Sequence, residues 1–461
     1  MKRQIAYVII MMFVISVISG CSNQVKSSSP SVTQGTPKNT AVTTAPEQKL
    51  IKIWGDSKEI VTIIDKFKTL YPDFGYEIEA TDLSNADSNY QVILDQALAT
   101  GGEKAPDLYG VDATYAIRYT QGDAYQHAAP YQDLGIDVDH LLKEAKIAQY
   151  CIDIGTNPDG QLVGLGYQST EGVFVYRRSI AKAVWGTEDP NAIKAVIGPG
   201  WDKFLSAAKE LKAKGYGICS SIDDIWQPVF HSANQKWVVD GKLVIDPKRE
   251  EFLDLAMELK KKGYTNNTTS WTDQWFKDIN DGGKKKIFGF FAPAWFINYV
   301  MIAHSGGEKV GQGTFGDWAV CEPTTPFYQG GTWILANKNT GAKEGVGKIV
   351  QWITLDTTEN GLQSLWANNK LGFGAKDTTI SSQVMSNTDG SIEFLGGQNL
   401  FETFLMDGDK ANGKNITKDD ETINYYWKEQ VLKYTSGKKS REQAIADFEQ
   451  EVASNLDIKA E

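Results

Sequence analysis

The pattern of apolar and polar positions changes character twice along the chain. A 14-residue, largely apolar run from Ile5 to Ile18 follows Lys2 and Arg3. It is shorter than the ~20 residues a membrane helix needs and matches the core of a secretory signal peptide, taken here as residues 1–20. Between Ser22 and Lys49 there is no aromatic residue, and Ser, Thr, Pro and Gln dominate, so residues 21–49 are expected to form a disordered tether. From Leu50 onward the apolar residues become periodic. Strand-like LIKIW (50–54) precedes Ile60, Ile63, Ile64, Phe67 and Leu70 at helical spacing. GYEIEA, a helix around YQVILDQALAT and strand-like DLYGV (107–111) come next, an alternation that predicts a mostly parallel sheet flanked by helices. A second region of similar style begins near Leu162 with LVGLGY, GVFVYRR and WDKFLSAAKELKAKG. In its helix Phe204, Leu205, Ala208 and Leu211 share a face, and Gly215 stops it. Further helices are predicted at 248–262, 293–304, 343–354, 421–435 and 441–454. About 410 residues exceed one compact unit, so two lobes are expected.

The end of the apolar run sets the compartment. Ile18, Ser19, Gly20 and Cys21 resemble the lipobox of bacterial lipoproteins, in which small residues admit the processing enzyme and the thiol carries a diacylglyceryl anchor. An ordinary signal peptide with an incidental cysteine is the other reading. The first implies an exported chain held by lipid on the outer face of the cell membrane. Removing residues 1–20 takes away Lys2 and Arg3 and no acid, so 47 basic residues become 45 against 58 acidic ones, a net charge of about −13. That balance disfavours nucleic acid as a partner. Besides Cys21, only Cys151, Cys219 and Cys321 occur, an odd and widely spaced set that reads as buried, inert thiols. His127, His140, His231 and His304 show no metal-ligand spacing, and DGDKANGKN (407–415) is out of register for a calcium loop. No metal or cofactor is expected.

Tryptophan and tyrosine carry the candidate chemistry: the chain has 13 Trp and 19 Tyr, several beside turn signals. Trp54 precedes Gly55-Asp56-Ser57, Trp226 follows Asp223-Asp224, Trp295 follows Pro293, Trp333 follows Gly330-Gly331, and Tyr425-Tyr426-Trp427 stand near a helix start. In α/β sheets such positions favour ligand contact. An aromatic face covers the C–H face of a pyranose ring, while Asp, Glu, Asn and Gln bind its hydroxyls; core packing is the alternative for each ring. There is no G-x-S-x-G elbow, H-E-x-x-H, P-loop or dinucleotide fingerprint. A carboxylate pair for glycoside hydrolysis is defined by a spatial gap, so sequence leaves it open.

Taken in order, several segments resemble the extracellular solute-binding proteins of bacterial ABC importers, in the group that includes maltose-binding protein. IWGDSKEI is similar to the first strand and ligand-touching turn, implicating Trp54 and Asp56. ATGGEKAPDLYGVDATY resembles a strand ending in an acid, Asp112, and GLGYQSTEGVFVYRRSIA a crossover that places Glu171 as a ligand-bonding glutamate. SSIDDIWQPVFHSAN, with Trp226, follows where the family places cleft acids and aromatics, and KKKIFGFFAPAWFIN resembles the helix start that supplies a stacking ring, Trp295. ITLDTTENGLQSLWANNKLGFGAK resembles the return crossover, and INYYWKEQVLKYTSGKKSREQAIADFEQEV the closing helices, with Tyr426 as a platform beside Trp333. The chain departs from maltodextrin binders in placing Ser57 between Asp56 and Lys58 and Ala294 between Pro293 and Trp295.

The resemblance implies an α/β, two-lobe periplasmic-binding-protein-like fold with a ligand cleft and several inter-lobe crossovers. Lobe one is expected over 50–170 plus 322–370 and lobe two over 172–318 plus 376–461, with hinges near Glu171, Cys321 and Gly372. It further implies a non-enzymatic, monomeric capture subunit that takes an oligosaccharide, of glucan or cellodextrin type, to a membrane permease. A surface-attached glycoside hydrolase, or the same importer role with a polyamine or peptide ligand, are the alternatives.

Overall fold

The computed structural model describes residues 49–85, 89–407 and 410–459. The signal segment, Cys21 and nearly all of the tether lie outside them. The strands are, in chain order, β1 (Lys49–Gly55), β2 (Tyr76–Asp82), β3 (Leu108–Asp112), β4 (Gly164–Gly166), β5 (Gly172–Arg177), β6 (Val238–Val239), β7 (Lys242–Leu243), β8 (Gly289–Pro293), β9 (Trp318–Cys321) and β10 (Thr332–Ala336).

The first sheet has the order β2-β1-β3-β10-β4. Strand β1 is parallel to β2 and β3, while β10 runs antiparallel between β3 and β4, with Asp112 opposite Thr332. Alternation in β1 sends Ile51 and Ile53 fully into the core. The helix Lys58–Leu70 covers the sheet with Ile60, Ile63, Ile64 and Phe67, and Leu70 is only half-buried. LVGLGY, grouped above with the second region, supplies β4 and completes this first sheet.

The second sheet, β8-β5-β9, is antiparallel throughout, against the expectation of a similar parallel style. The reason is connectivity. Strand β5 carries the chain out of the first sheet and β9 leads it back to β10, so these neighbours must run in opposite directions. Isolated parallel pairings of Gly217 with Ile287 and Cys219 with Thr265 extend the sheet beyond its regular strands.

Pleating divides the second lobe into two cores. Phe174 and Tyr176 of β5 face one cluster with Phe204, Trp237 and Trp427, while Val173 and Val175 face another with Phe290, Trp318 and Phe394. The predicted helices form at Pro247–Lys261, Lys343–Thr354, Asp420–Thr435 and Arg441–Asn455. The segment after β8 is helical in three pieces, with a π turn over Ile297–Met301 between Ala294–Phe296 and Ile302–His304. Cys151, Cys219 and Cys321 are buried free thiols, as the sequence suggests.

The chain makes one excursion that periodicity does not announce. After the helix Leu400–Asp407, residues 411–418 touch both the first core and the second, where Asn415 Nδ2 donates to the Ala233 carbonyl at 2.9 Å. Ala411 joins the first core, a Cβ on Gly413 would meet the Tyr150 carbonyl at 2.6 Å, and Lys418 pairs with Asp123 at 3.1 Å. This strap then feeds directly into the helix Asp420–Thr435.

Candidate ligand cleft

A cavity of about 370 Å³ opens between the two sheets. Its first wall is the carboxyl end of β3, where Asp112 caps the helix Ala113–Thr120 by accepting the Thr114 N–H at 2.8 Å. The opposite wall combines Gln227, Phe230 and His231 with Asp420, Glu421, Asn424 and Lys428. Asp420, Asn424 and Lys428 fall at i, i+4 and i+8, one stripe of a helix. Between the walls lie Tyr328, Gln329 and Gly330 of the β9–β10 crossover, Ile416 and Thr417 of the strap, and Trp295.

Trp295 is fixed by its edge: its indole N–H donates to the Gln329 carbonyl at 2.7 Å. Beneath the cavity an aromatic column runs through the crossover. Tyr150 stacks on Tyr328 with centroids 4.9 Å apart, and His231 meets the same Tyr328 ring at 4.1 Å. Burial, reinforced by the positive charge of Arg249, lowers the His231 pKa to about 3, so that ring is neutral.

Three carboxylates, Asp112, Asp420 and Glu421, line the cleft, and Asp56 lies beside the first of them. Burial, then the neighbouring charge of Asp112, pushes Asp56 up to about 6. Asp420 is only 8 % exposed; its Oδ1 accepts the Thr417 hydroxyl, and its Oδ2 has no hydrogen-bond partner. Burial raises Asp420 to about 6 against the lowering influence of Thr417 and Arg249. Arg249 itself is fully buried, sandwiched between Phe230 at 4.8 Å and Trp237 at 4.5 Å. Acceptors in excess of donors suit a ligand rich in hydroxyl or amine hydrogens. Among the described residues no group of His, Cys, Asp and Glu could hold a metal ion.

Of the candidate residues, Asp112 and Trp295 line the cavity. Asp56 lies close enough to Asp112 to feel its charge, and Trp54 packs half-buried against the first core. The others sit elsewhere. Trp226 is buried against Phe252 at 4.9 Å and leaves the lining to its neighbours Gln227, Phe230 and His231. Trp333 is wholly buried in β10, because a central strand faces helices on both sides. Glu171 is 3 % exposed within the crossover, bridged to Tyr328. Tyr426 packs against the second core, on a different face of its helix from Asn424 and Lys428. The polar stripe Asp420, Asn424, Lys428 was the signal in the sequence that pointed to the other face.

Comparison with known proteins agrees with this architecture. Residues 62–370 match the family of bacterial extracellular solute-binding proteins. No curated protein matches the chain by sequence. A solved extracellular solute-binding protein of family 1 superposes with a TM-score of 0.71 at 16 % identity, covering 88 % of this chain and 99 % of its own. The sugar-binding protein MalE from Xanthomonas citri gives 0.65 at 11 % identity, over 88 % and 97 %. The galacto-N-biose-/lacto-N-biose I-binding protein of the ABC transporter from Bifidobacterium longum, in complex with lacto-N-biose, gives 0.61 at 17 % identity, over 90 % and 99 %. These likenesses establish the two-lobe fold, and the family match, which starts in the first helix and runs through both sheets, establishes that the chain belongs to the bacterial extracellular solute-binding proteins.

Proposed function

We propose that the protein is the capture subunit of an ABC importer and binds an oligosaccharide between its lobes. The observation that carries this reading is the meeting, in one inter-lobe cavity, of an edge-locked tryptophan, Trp295, with carboxylates from both walls, Asp112 and Asp420. The ring covers a sugar's C–H face while Asp112, Asp420, Glu421, Gln227 and Asn424 take its hydroxyls. Neutral ligands of this kind reward paired polar groups, which reject analogues lacking a hydroxyl.

Delivery follows from closure. The lobes, 50–170 plus 322–370 and 172–318 plus 376–461, turn about hinges near Glu171, Cys321 and Gly372, and the ligand stabilises the closed form by touching both walls. The closed form docks on a membrane permease, and no covalent step occurs. Anchoring through lipidated Cys21 keeps the monomeric domain at the outer face of the cell membrane; the lipobox-like Ile18-Ser19-Gly20-Cys21 supports this.

The test is a thermal-shift screen of residues 50–461 against neutral oligosaccharides, polyamines and short peptides. Ligand at a hundredfold excess over its Kd adds ~2.7 kcal/mol of stability. A shift confined to one sugar series supports the reading, and a shift confined to polyamines or peptides replaces the ligand class. Release of reducing ends from the bound sugar would overturn capture without turnover.

A further inference from the structure

Three short segments at the margin of the second sheet start side by side, and lysines precede each of them. Gly217 pairs in parallel with Ile287, and Cys219 with Thr265. Ahead of Gly217 stand Lys212 and Lys214, ahead of Thr265 the run 260–262, and ahead of Ile287 the run 284–286, eight lysines in all. Side-chain bonds tie the three approaches together. Lys212 Nζ donates to the Lys262 carbonyl at 2.6 Å, and Lys285 Nζ to the carbonyls of Gly263 and Thr265 at 2.7 and 3.1 Å. Burial, and then the positive charges of Lys212 and Lys284, lower the Lys285 pKa.

Helix termini explain only part of this cluster. Lys212, Lys260 and Lys261 close the helices Trp201–Ala213 and Pro247–Lys261, where a cation meets the negative end of the dipole. The run 284–286 closes no helix. Nor is the charge neutralised from within. Among the described residues only Lys286 of the eight has an acidic partner, Asp281 at 3.0 Å, and six of the eight are exposed. The nearby Glu210 is engaged by the Trp185 indole N–H at 2.6 Å. The edge is thus strongly positive on a chain whose overall charge is negative. It also has a direction: β8 leaves the lysines at 286 and ends at Pro293, two residues before Trp295 in the cleft. At about 3.3 Å per residue the lysines lie roughly 20 Å from the cleft, at the other end of the strand.

We infer that this lysine edge is a docking surface for an anionic phospholipid membrane, which it meets while the cleft stays open at the far end of the sheet. The partner is a field of headgroups and not a single phosphate, because all eight cations are lysines. An ammonium is a strongly hydrated point charge without the planar fork by which arginine grips one phosphate, and it responds to the diffuse potential of a charged bilayer. A chain negative overall and positive at one edge turns that edge toward such a surface. The inference rests on the placement of the domain at the outer face of the cell membrane proposed above, and adds to it an orientation.

The test is co-sedimentation of residues 21–461 carrying Cys21→Ser, a chain with no acyl group, with vesicles of equimolar phosphatidylglycerol and phosphatidylcholine and with vesicles of phosphatidylcholine alone. The chain with the native lysine edge should bind only the anionic vesicles, and ~1 M salt, where the screening length is about 3 Å, should release it. Replacing Lys214, Lys261 and Lys284 together by Gln removes three exposed charges that make no side-chain bond, and should lower the partition on the order of a hundredfold. The same change at Lys104, Lys143 and Lys338, exposed on the first lobe, should leave the partition nearly unchanged, and both triple variants should keep the parent melting temperature. Equal partition of the two triple variants overturns the lysine edge. No binding by the parent chain overturns the membrane dock, and its retention on immobilised polyphosphate in that case gives the edge to a soluble polyanion instead. Anchoring is read separately, from the mass of the protein extracted from cells in detergent: an unacylated Cys21 overturns the anchored placement alone, while the vesicles still decide the edge.

Discussion

The Trp295 indole N–H donates to the Gln329 carbonyl, 34 residues further along the chain, and this single bond ties the indole to the crossover that leads from β9 back to β10. The ring is therefore positioned by the β9–β10 crossover as well as by its own helix. Trp295→Phe keeps an aromatic face but frees the edge, and Trp295→Ala removes both. In titration calorimetry with the sugar giving the largest thermal shift, the alanine variant should lose about 2 kcal/mol, the usual cost of truncating a central aromatic anchor. The phenylalanine variant should fall between it and the wild type.

Gly330 guards the same ring. A Cβ there would lie 3.2 Å from Trp295 Nε1, and the residue has φ +72°. Gly330→Ala is expected to cost about 1 kcal/mol of stability from backbone strain. It should also displace the indole and weaken sugar binding, whereas an alanine at Gly341, where nothing lies within 4 Å, should leave affinity unchanged.

The buried Asp420 carboxylate makes stability depend on pH with a definite sign. Its folded pKa of about 6 lies above the ordinary aspartate value, so the folded state holds the proton more tightly than the unfolded chain. That contribution to stability is complete below the unfolded pKa and is lost as pH rises through about 6. Asp420→Asn, which keeps the acceptor for Thr417 but carries no charge, should raise the ligand-free melting temperature at pH 7–8, by an equivalent of about 1–3 kcal/mol. The advantage should vanish near pH 4, and denaturant melts across that window check it. A loss of stability at pH 7.5 would show that attraction to Arg249 outweighs burial.

Arg177 is a structural ion outside the lining of the cleft. Its side chain is nearly buried and donates to Asp281 at 2.6 Å and to Asp317 at 2.8 Å. Its hydrogen bonds and charge hold the Asp281 carboxyl below its ordinary value despite burial. Arg177→Ala leaves Asp281 only Lys286 at 3.0 Å and Asp317 only Ser179, and should cost about 3 kcal/mol in denaturant unfolding, a typical penalty for breaking such a pair from one side. Ligand affinity at a temperature where the variant is folded should stay the same.

Much of the fold was legible because burial imposes periodicity. Ile60, Ile63, Ile64 and Phe67 turn inward as their spacing requires, and the helices at 247–261, 343–354, 420–435 and 441–455 appear within a residue or two of expectation. The direction of the second sheet was not legible, since an antiparallel β5 and β9 follow from where the chain crosses between lobes and not from any local pattern. Site residues divided along similar lines. Asp112 ends a strand at the cleft, and strand ends are marked by composition. Trp226 and Trp333 carry the same chemistry as Trp295, but rotation about a helix or strand axis turned them into the core. Asp420 was hidden for the converse reason: an acid at a helix start reads as a solvated one, and only the strap over it makes it buried.

The placement of β10 has a consequence for how the molecule is made. Asp112 faces Thr332 across a gap of some 220 residues, so the first sheet acquires its fourth and fifth strands in register only after the whole of β5 to β9 has been synthesised. Until then β3 presents an unpaired edge that invites association with other chains. Closing so long a loop is entropically slow, and a chain passing through a membrane head-first must emerge nearly to residue 336 before either lobe can be completed. The nascent protein is thus most exposed to aggregation and proteolysis during that interval, while the edge of β3 waits for β10.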